Sequence, residues 1–220
     1  MKHIVVDLEM NNVKDPEAKQ ICLMETIEIG AVMLDDNLNE ISSFQTYVKP
    51  EYNDHIVRKI RNLTGISDEM VMEAPLFKEA LKMFTSWCME EGDDITIYAW
   101  SESDYEQISK EMILKHYGMS DNERLILENE WSDFQHEFDS NLGFERRASL
   151  NLALELGGIE FSGREHDALD DARNTAKLLH IFRDEKLYDK VFRRISEYMH
   201  PTSTGSTIGS LIDFSELAIA

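Results

Sequence analysis

The 220-residue chain carries 43 acidic and 22 basic residues, a formal net charge of -21, which argues against a non-specific coat for duplex DNA or an anionic membrane surface. With 42% hydrophobic and 30% charged residues, 10 Gly and 4 Pro, it has the composition of a folded globular chain, not of a collagenous or low-complexity one. Its two cysteines, Cys22 and Cys88, are too few for a disulfide scaffold or a zinc finger and read as buried thiols of a reducing compartment.

The opening HIVVDLEM predicts a strand with Ile4, Val6 and Leu8 on one face and Val5, Asp7 and Glu9 on the other. It meets an acid before any signal-peptide core, and no apolar stretch approaches the roughly 18 residues of a membrane span, so a cytoplasmic place is expected. TIEIGAVML and SFQTYVK predict two more strands, joined by turn-rich links such as DDNLNE in an antiparallel meander. Phe77, Ala80, Leu81, Phe84 and Cys88 then recur at helical spacing, and ITIYAW follows as a fourth strand. A helix is expected from about Asp104 to Tyr117, with Ile108, Met112 and Lys115 at helical steps. The mixed acidic and apolar stretch from Glu123 to Ser140 predicts a short strand and then a helix. Ser149 to Leu156 is helical and stops at Gly157 and Gly158. Leu169, Ala172, Ala176 and Leu179 form one stripe of a helix running to about Arg183, and Leu187 to Met199 reads as a single last helix. Residues 1–200 are expected to form one domain and the small, polar 201–220 a tail. Strands followed by alternating helices and strands predict an α/β fold, a mixed central sheet flanked by helices.

Four places can carry chemistry. Asp7 and Glu9, two apart in a strand, leave the same face and can share a cation, or they simply face water on an edge strand. In EHDALDDA, Asp167 and Asp170 suit a helix N-terminus, while His166 and Asp171 can point together at the sheet. Asp104 lies just after a strand, where an N-cap is ordinary but where α/β sheets also place ligands. Leu63 to Ile66, LTGI, reads either as a helix terminator capped by Gly65 or as a backbone and apolar wedge against a substrate end.

Taken in order, DLE, LTGI, an Asp after a strand and HDALDDA resemble the DEDDh, or DnaQ-like, family of 3′-5′ exonucleases over about residues 3 to 183. METIEIGAVMLDD, FQTYVKPE and LTGIS look most like the branch that includes histone-mRNA 3′-end exonucleases, which favours RNA. The resemblance implies a ribonuclease-H-like fold, with Asp7, Glu9, Asp104 and Asp171 as metal-binding catalytic acids and His166 as the general base. Two Mg2+ ions, replaceable by Mn2+, would activate the attacking water and stabilise charge on the phosphate, releasing nucleoside 5′-monophosphates. Met10, Leu63, Thr64, Gly65 and Ile66 would contact the 3′-terminal nucleotide. The implied substrate is a single-stranded 3′ end, RNA in preference to DNA, with no membrane partner. His166, in the loop SGREHD, is expected to be mobile enough to approach the water. The chain departs from the pattern at Ser103, a place often held by a stacking aromatic, for which Trp100 or Tyr105 could substitute. Two other readings are a proofreading-type DNA exonuclease subunit and a non-catalytic nucleic-acid-binding or adaptor protein on the same fold. The intact set of five speaks against the latter.

Overall fold

The alternation in KHIVVDLEMNN builds β1 (Lys2–Asn12). In a computed structural model, which describes residues 1–90, 92, 94–128 and 131–199, this strand runs through the middle of the sheet. β2 (Met24–Leu34) pairs with it antiparallel and β3 (Glu40–Tyr47) pairs antiparallel with β2. β4 (Ile95–Ala99) and the two-residue β5 (Ser132–Asp133) add in parallel on the other side, giving the order β3-β2-β1-β4-β5. This is the expected mixed sheet flanked by helices.

The short α1 (Arg58–Thr64) and α2 (Asp68–Met72) lie between β3 and α3 (Phe77–Cys88), and α4 (Ser103–Leu114) follows β4. Ile4, Val6 and Leu8 pack with Phe77, Leu81, Phe84 and Ile108 in one core layer. Val5, on the opposite face, packs with residues of α6 (Phe134–Leu142), α7 (Leu150–Leu156) and α8 (Ala168–Arg183). The free thiols of Cys22 and Cys88 are both buried.

Three expectations need correction. The stretch from Glu123 holds the expected short strand and helix, β5 and α6, but an unpredicted helix comes first. α5 (Asp121–Leu127) precedes β5, because Ser120 and Glu123 form a reciprocal capping box and Ile126 and Leu127 are buried. The predicted last helix is two, α9 (Glu185–Val191) and α10 (Arg193–Met199). They separate at Phe192, whose fully buried ring meets Phe138 edge-on at 5.5 Å. The helix carrying Asp104 ends at Leu114, short of Tyr117, and His116 takes a left-handed φ of 49°. The tail at 201–220 lies outside the described residues. Among those described, no helix is long and apolar enough to cross a membrane.

Two features of the sheet prepare a site. β1 outruns β4: their pairing ends at Val6 opposite Ala99, while β1 continues to Asn12. Beyond that point the β4 side of β1 is open. On the other side Asp7 stands opposite Gly30 of β2, and a Cβ placed on Gly30 would come within 2.2 Å of the backbone of Ala168 and Leu169. A glycine there lets the start of α8 lie directly on the sheet.

Candidate active site

Asp7 and Glu9 project from the same face of β1 as Val5, toward α8. Neither carboxylate accepts a hydrogen bond from another described residue. Asp104 is not the helix cap that its position suggests: Glu102 is the N-cap of α4, and Asp104 lies buried in the first turn. There its Oδ1 accepts a hydrogen bond at 3.2 Å from the Leu8 amide, the group that β4 leaves unpaired between Asp7 and Glu9.

The third contribution comes from α8 and the loop before it. Asp167 caps the helix, accepting from the Asp170 amide at 3.2 Å, and Asp170 accepts from the Arg164 amide at 2.8 Å, so both acids serve local structure. Asp171, one position on, accepts from the His166 amide at 3.1 Å. Ligand atoms of Glu9, His166 and Asp171 all lie within 4.8 Å of one another. The loop before the helix is braced by side-chain hydrogen bonds. Asn174 bonds both the amide and the carbonyl of Ser162, and His166 itself sits at φ 61°, a left-handed conformation uncommon for a residue with a side chain.

A further acid belongs to this cluster. Glu28 on β2 is directly opposite Glu9, is 1% exposed, and accepts hydrogen bonds from the Ala168 amide at 3.2 Å and from Gln45 Nε2 at 2.9 Å. It is absent from the sequence-predicted set. Its signal is the Glu28–Gly30 pair on one face of a strand, which is meaningful only once α8 is known to dock there.

Crowding and loss of water keep these carboxyls protonated well beyond their ordinary range. Burial raises Glu9 to about 8, Asp104 and Glu28 to about 7, and Asp171 to about 6. Asp7 is also pushed well up, first by desolvation and then by the negative charges of Asp104, Asp171, Glu9 and Glu28. Uncompensated carboxylates at such density fit a hard divalent cation. The donor set, oxygen-rich with one imidazole, fits a divalent cation.

Of the segments expected to contact a 3′ end, Met10 follows Glu9 on β1, and the Leu63 carbonyl accepts a hydrogen bond from Arg164, two residues before His166. Met10 is half-buried at the register shift after Glu9. Thr64 and Ile66 are turned into the core, 3% and 2% exposed, whereas Leu63 is 44% exposed and Gly65 caps α1 at φ 69°. Of the LTGI segment, then, Leu63 and the backbone are what a ligand can reach. Trp100 is buried against Phe134 and Phe138 and offers no stacking face. Tyr105 packs on Trp131 at 5.6 Å and lines a cleft of about 710 Å³ beside Asp104.

Residues 4–179 match the RNase_T family, described as exonuclease. The chain is 32% identical over 232 residues to ERI1 exoribonuclease 2 of Xenopus laevis, covering 90% of this chain and 31% of that protein. It is 24% identical over 215 residues to the probable 3′-5′ exonuclease KapD of Bacillus subtilis (strain 168), covering 97% of this chain and 95% of that one. A solved structure described as 3′-end specific recognition of histone mRNA stem-loop by 3′-exonuclease superposes with a TM-score of 0.69. It is 21% identical and covers 87% of this chain and 83% of its own, a likeness of fold. The chain spans about a third or less of the first curated relatives, 31% of one and 27% of the next two.

Proposed function

The chain belongs to the exonuclease family that matches residues 4–179, and on that premise we propose that it is a divalent-metal-dependent 3′-5′ exonuclease. Its substrate is single-stranded nucleic acid, RNA in preference to DNA, and its product nucleoside 5′-monophosphates. The observation that supports this reading is the convergence of acids from β1, α4 and α8 with one histidine. Glu9, His166 and Asp171 have ligand atoms within 4.8 Å of one another, and Asp104 is bonded to the β1 backbone between Asp7 and Glu9.

Asp7, Glu9, Asp104 and Asp171 would hold two Mg2+ ions. Bound there, the ions supply Lewis acidity that activates water and stabilises charge on the phosphate. His166 is the general base: an imidazole nitrogen can accept the proton that the attacking water gives up. Asp171 holds the His166 backbone amide, so one carboxylate serves both the acid cluster and the base. Exposed Leu63 and the backbone near Met10 meet the terminal nucleotide. The preference for RNA rests on the likeness to exoribonucleases, and the buried free thiols of Cys22 and Cys88 support a cytoplasmic location.

The test uses purified protein with 3′-labelled and 5′-labelled single-stranded RNA and DNA, first with magnesium and then with EDTA. The 3′ label is expected to leave first as a mononucleotide, faster from RNA, with all hydrolysis stopped by EDTA. Binding without hydrolysis, label released first from the 5′ end, or activity indifferent to EDTA overturns the reading.

A further inference from the structure

In this acidic protein most arginines are already spoken for. Arg61 pairs with Asp68, Arg124 with Glu128, Arg147 with Glu102 and Asp133, Arg173 with Glu40, and Arg193 with Asp189, at 2.5 to 3.4 Å. Arg183 pairs with Glu137 as well, and of the remaining four, Arg58, Arg146, Arg164 and Arg194, only Arg164 lies in the loop that carries His166. It is exposed, two residues before His166, and among the described residues no carboxylate oxygen lies within ion-pair distance of it. Its guanidinium makes one long hydrogen bond, 3.4 Å from Nη2 to the Leu63 carbonyl.

That guanidinium is nevertheless held in place. Its own amide is bonded to Asp170, and it lies over Gly65, where a Cβ would come within 2.1 to 2.4 Å of it. The glycine that caps α1 therefore also makes the space that Arg164 fills. A pre-placed guanidinium with most of its donors free is suited to a phosphate oxygen. It is also close enough to the acid cluster to lower the pKa of Glu28.

The surroundings on the two sides of the cluster have opposite character. On the Arg164 side runs α1, whose first turn carries exposed Arg58 and Lys59, neither with an ion-pair partner among the described residues. This end of α1 is tied to β1 by a 2.9 Å bond from the Val57 amide to Asn11 Oδ1, two residues beyond Glu9. On the Asp104 side, the 710 Å³ cleft is lined by Glu102, Glu106, Asp133 and Glu137. The cations near it, Lys110, Arg147 and Arg183, are consumed by those same acids.

We propose that the sugar-phosphate backbone upstream of the 3′-terminal nucleotide leaves the site across α1, with Arg164 holding an upstream phosphate and Arg58 and Lys59 extending the track. The cleft beside α4 is not the path. This assignment rests on the exonuclease reading above and adds the direction of the strand to it.

The test is binding of 5′-fluorescein-labelled single-stranded RNA octanucleotide to the full chain in Ca2+ at several salt concentrations, with kcat and KM measured in Mg2+. Arg164→Ala is expected to weaken binding about tenfold and to lower the salt slope by about 0.7, the share of one single-strand phosphate contact, with partial recovery in Arg164→Lys. The loss in kcat/KM is expected to be larger on the octanucleotide than on the 4-nitrophenyl ester of thymidine 5′-monophosphate, which has no upstream phosphate. Arg58→Ala with Lys59→Ala weakens the octanucleotide more than a dinucleotide. Equal losses on long and minimal substrates would make Arg164 a pin between two loops and overturn the proposal. So would octanucleotide binding that is unmoved by Arg164→Ala but tightened tenfold by Glu102→Gln with Glu106→Gln. A wild-type chain inert toward every oligonucleotide overturns the exonuclease reading itself, whereas an active wild type with an unaltered Arg164→Ala overturns the strand path alone.

Discussion

Glu9 and Glu28 face each other directly across the β1–β2 ladder, both buried. Like charges so placed repel, yet Glu28 also holds the Ala168 amide at the start of α8. The two roles separate by substitution. Glu28→Gln keeps an acceptor and removes the charge, so without metal at pH 8 it is expected to melt higher than wild type, by on the order of 1 kcal/mol. Glu28→Ala leaves the amide unpaired and is expected to melt lower and to lose about ten- to a hundredfold in metal affinity or turnover. Calorimetry and a metal titration check both, and identical behaviour of the two variants would remove Glu28 as an anchor of α8.

The raised pKa values carry a definite sign for stability. Glu9, Glu28, Asp104 and Asp171 titrate at about 8, 7, 7 and 6 in the fold, against about 4 in the unfolded chain. Between those limits the folded state binds more protons than the unfolded, so stability without metal falls as pH rises. Melting in EDTA is expected to drop steadily from pH 5.5 to 8.5, and magnesium or manganese to raise it most at the alkaline end. A melting temperature that climbs with pH in EDTA would contradict the cluster's electrostatics. A metal-induced rise as large in Asp7→Asn as in wild type would contradict Asp7 as a ligand.

Asp104 has a structural task in the Leu8 bond and, in the proposed reaction, a chemical one. Asp104→Asn can still accept from the Leu8 amide, so it is expected to fold normally while losing at least about a hundredfold in rate with the metal site. Asp104→Ala leaves a buried amide unpaired, a further cost of about 1 to 3 kcal/mol. Denaturant titration of the two variants side by side distinguishes the tasks, and wild-type turnover in Asp104→Asn would exclude it from the centre.

His166 is testable through its backbone. At φ 61° a glycine is less strained than a histidine, so His166→Gly is expected to match or exceed wild-type stability while turnover falls about 10² to 10⁴-fold, the usual share of a general base. Single-turnover rates of wild type and variant at saturating magnesium, with melting of each, separate the loss in rate from any change in stability. Near wild-type turnover in His166→Gly would leave the histidine a loop residue only.

What was readable from the sequence follows from what periodicity can encode. Alternation in β1 separates Val5, Asp7 and Glu9 from Ile4, Val6 and Leu8, and the stripe from Leu169 to Leu179 places Asp171 near the sheet. Glu28 escapes because β2 is buried along nearly its whole length, so alternation vanishes and an acid there has no readable face. Asp104 is locatable, but its bond to β1 is not: an acid in a first helical turn looks like a cap until the unpaired Leu8 amide of a longer strand is seen beside it. Phe192 interrupts the final helix through a tertiary aromatic cluster, which no local pattern signals.

The docking of α8 on Gly30 has a kinetic consequence. The Glu28–Ala168 bond that fastens it joins residues 140 apart in the chain. Closing so long a loop is entropically unfavourable until the β1–β2 hairpin has formed a surface to receive the helix. The sheet can therefore assemble early from neighbouring segments, whereas the arrangement of Asp171 and His166 against Asp7 and Glu9 belongs to the last stage of folding. During synthesis, a chain not yet extended through α8 would hold Asp7 and Glu9 on a formed hairpin with neither Asp171 nor His166 beside them.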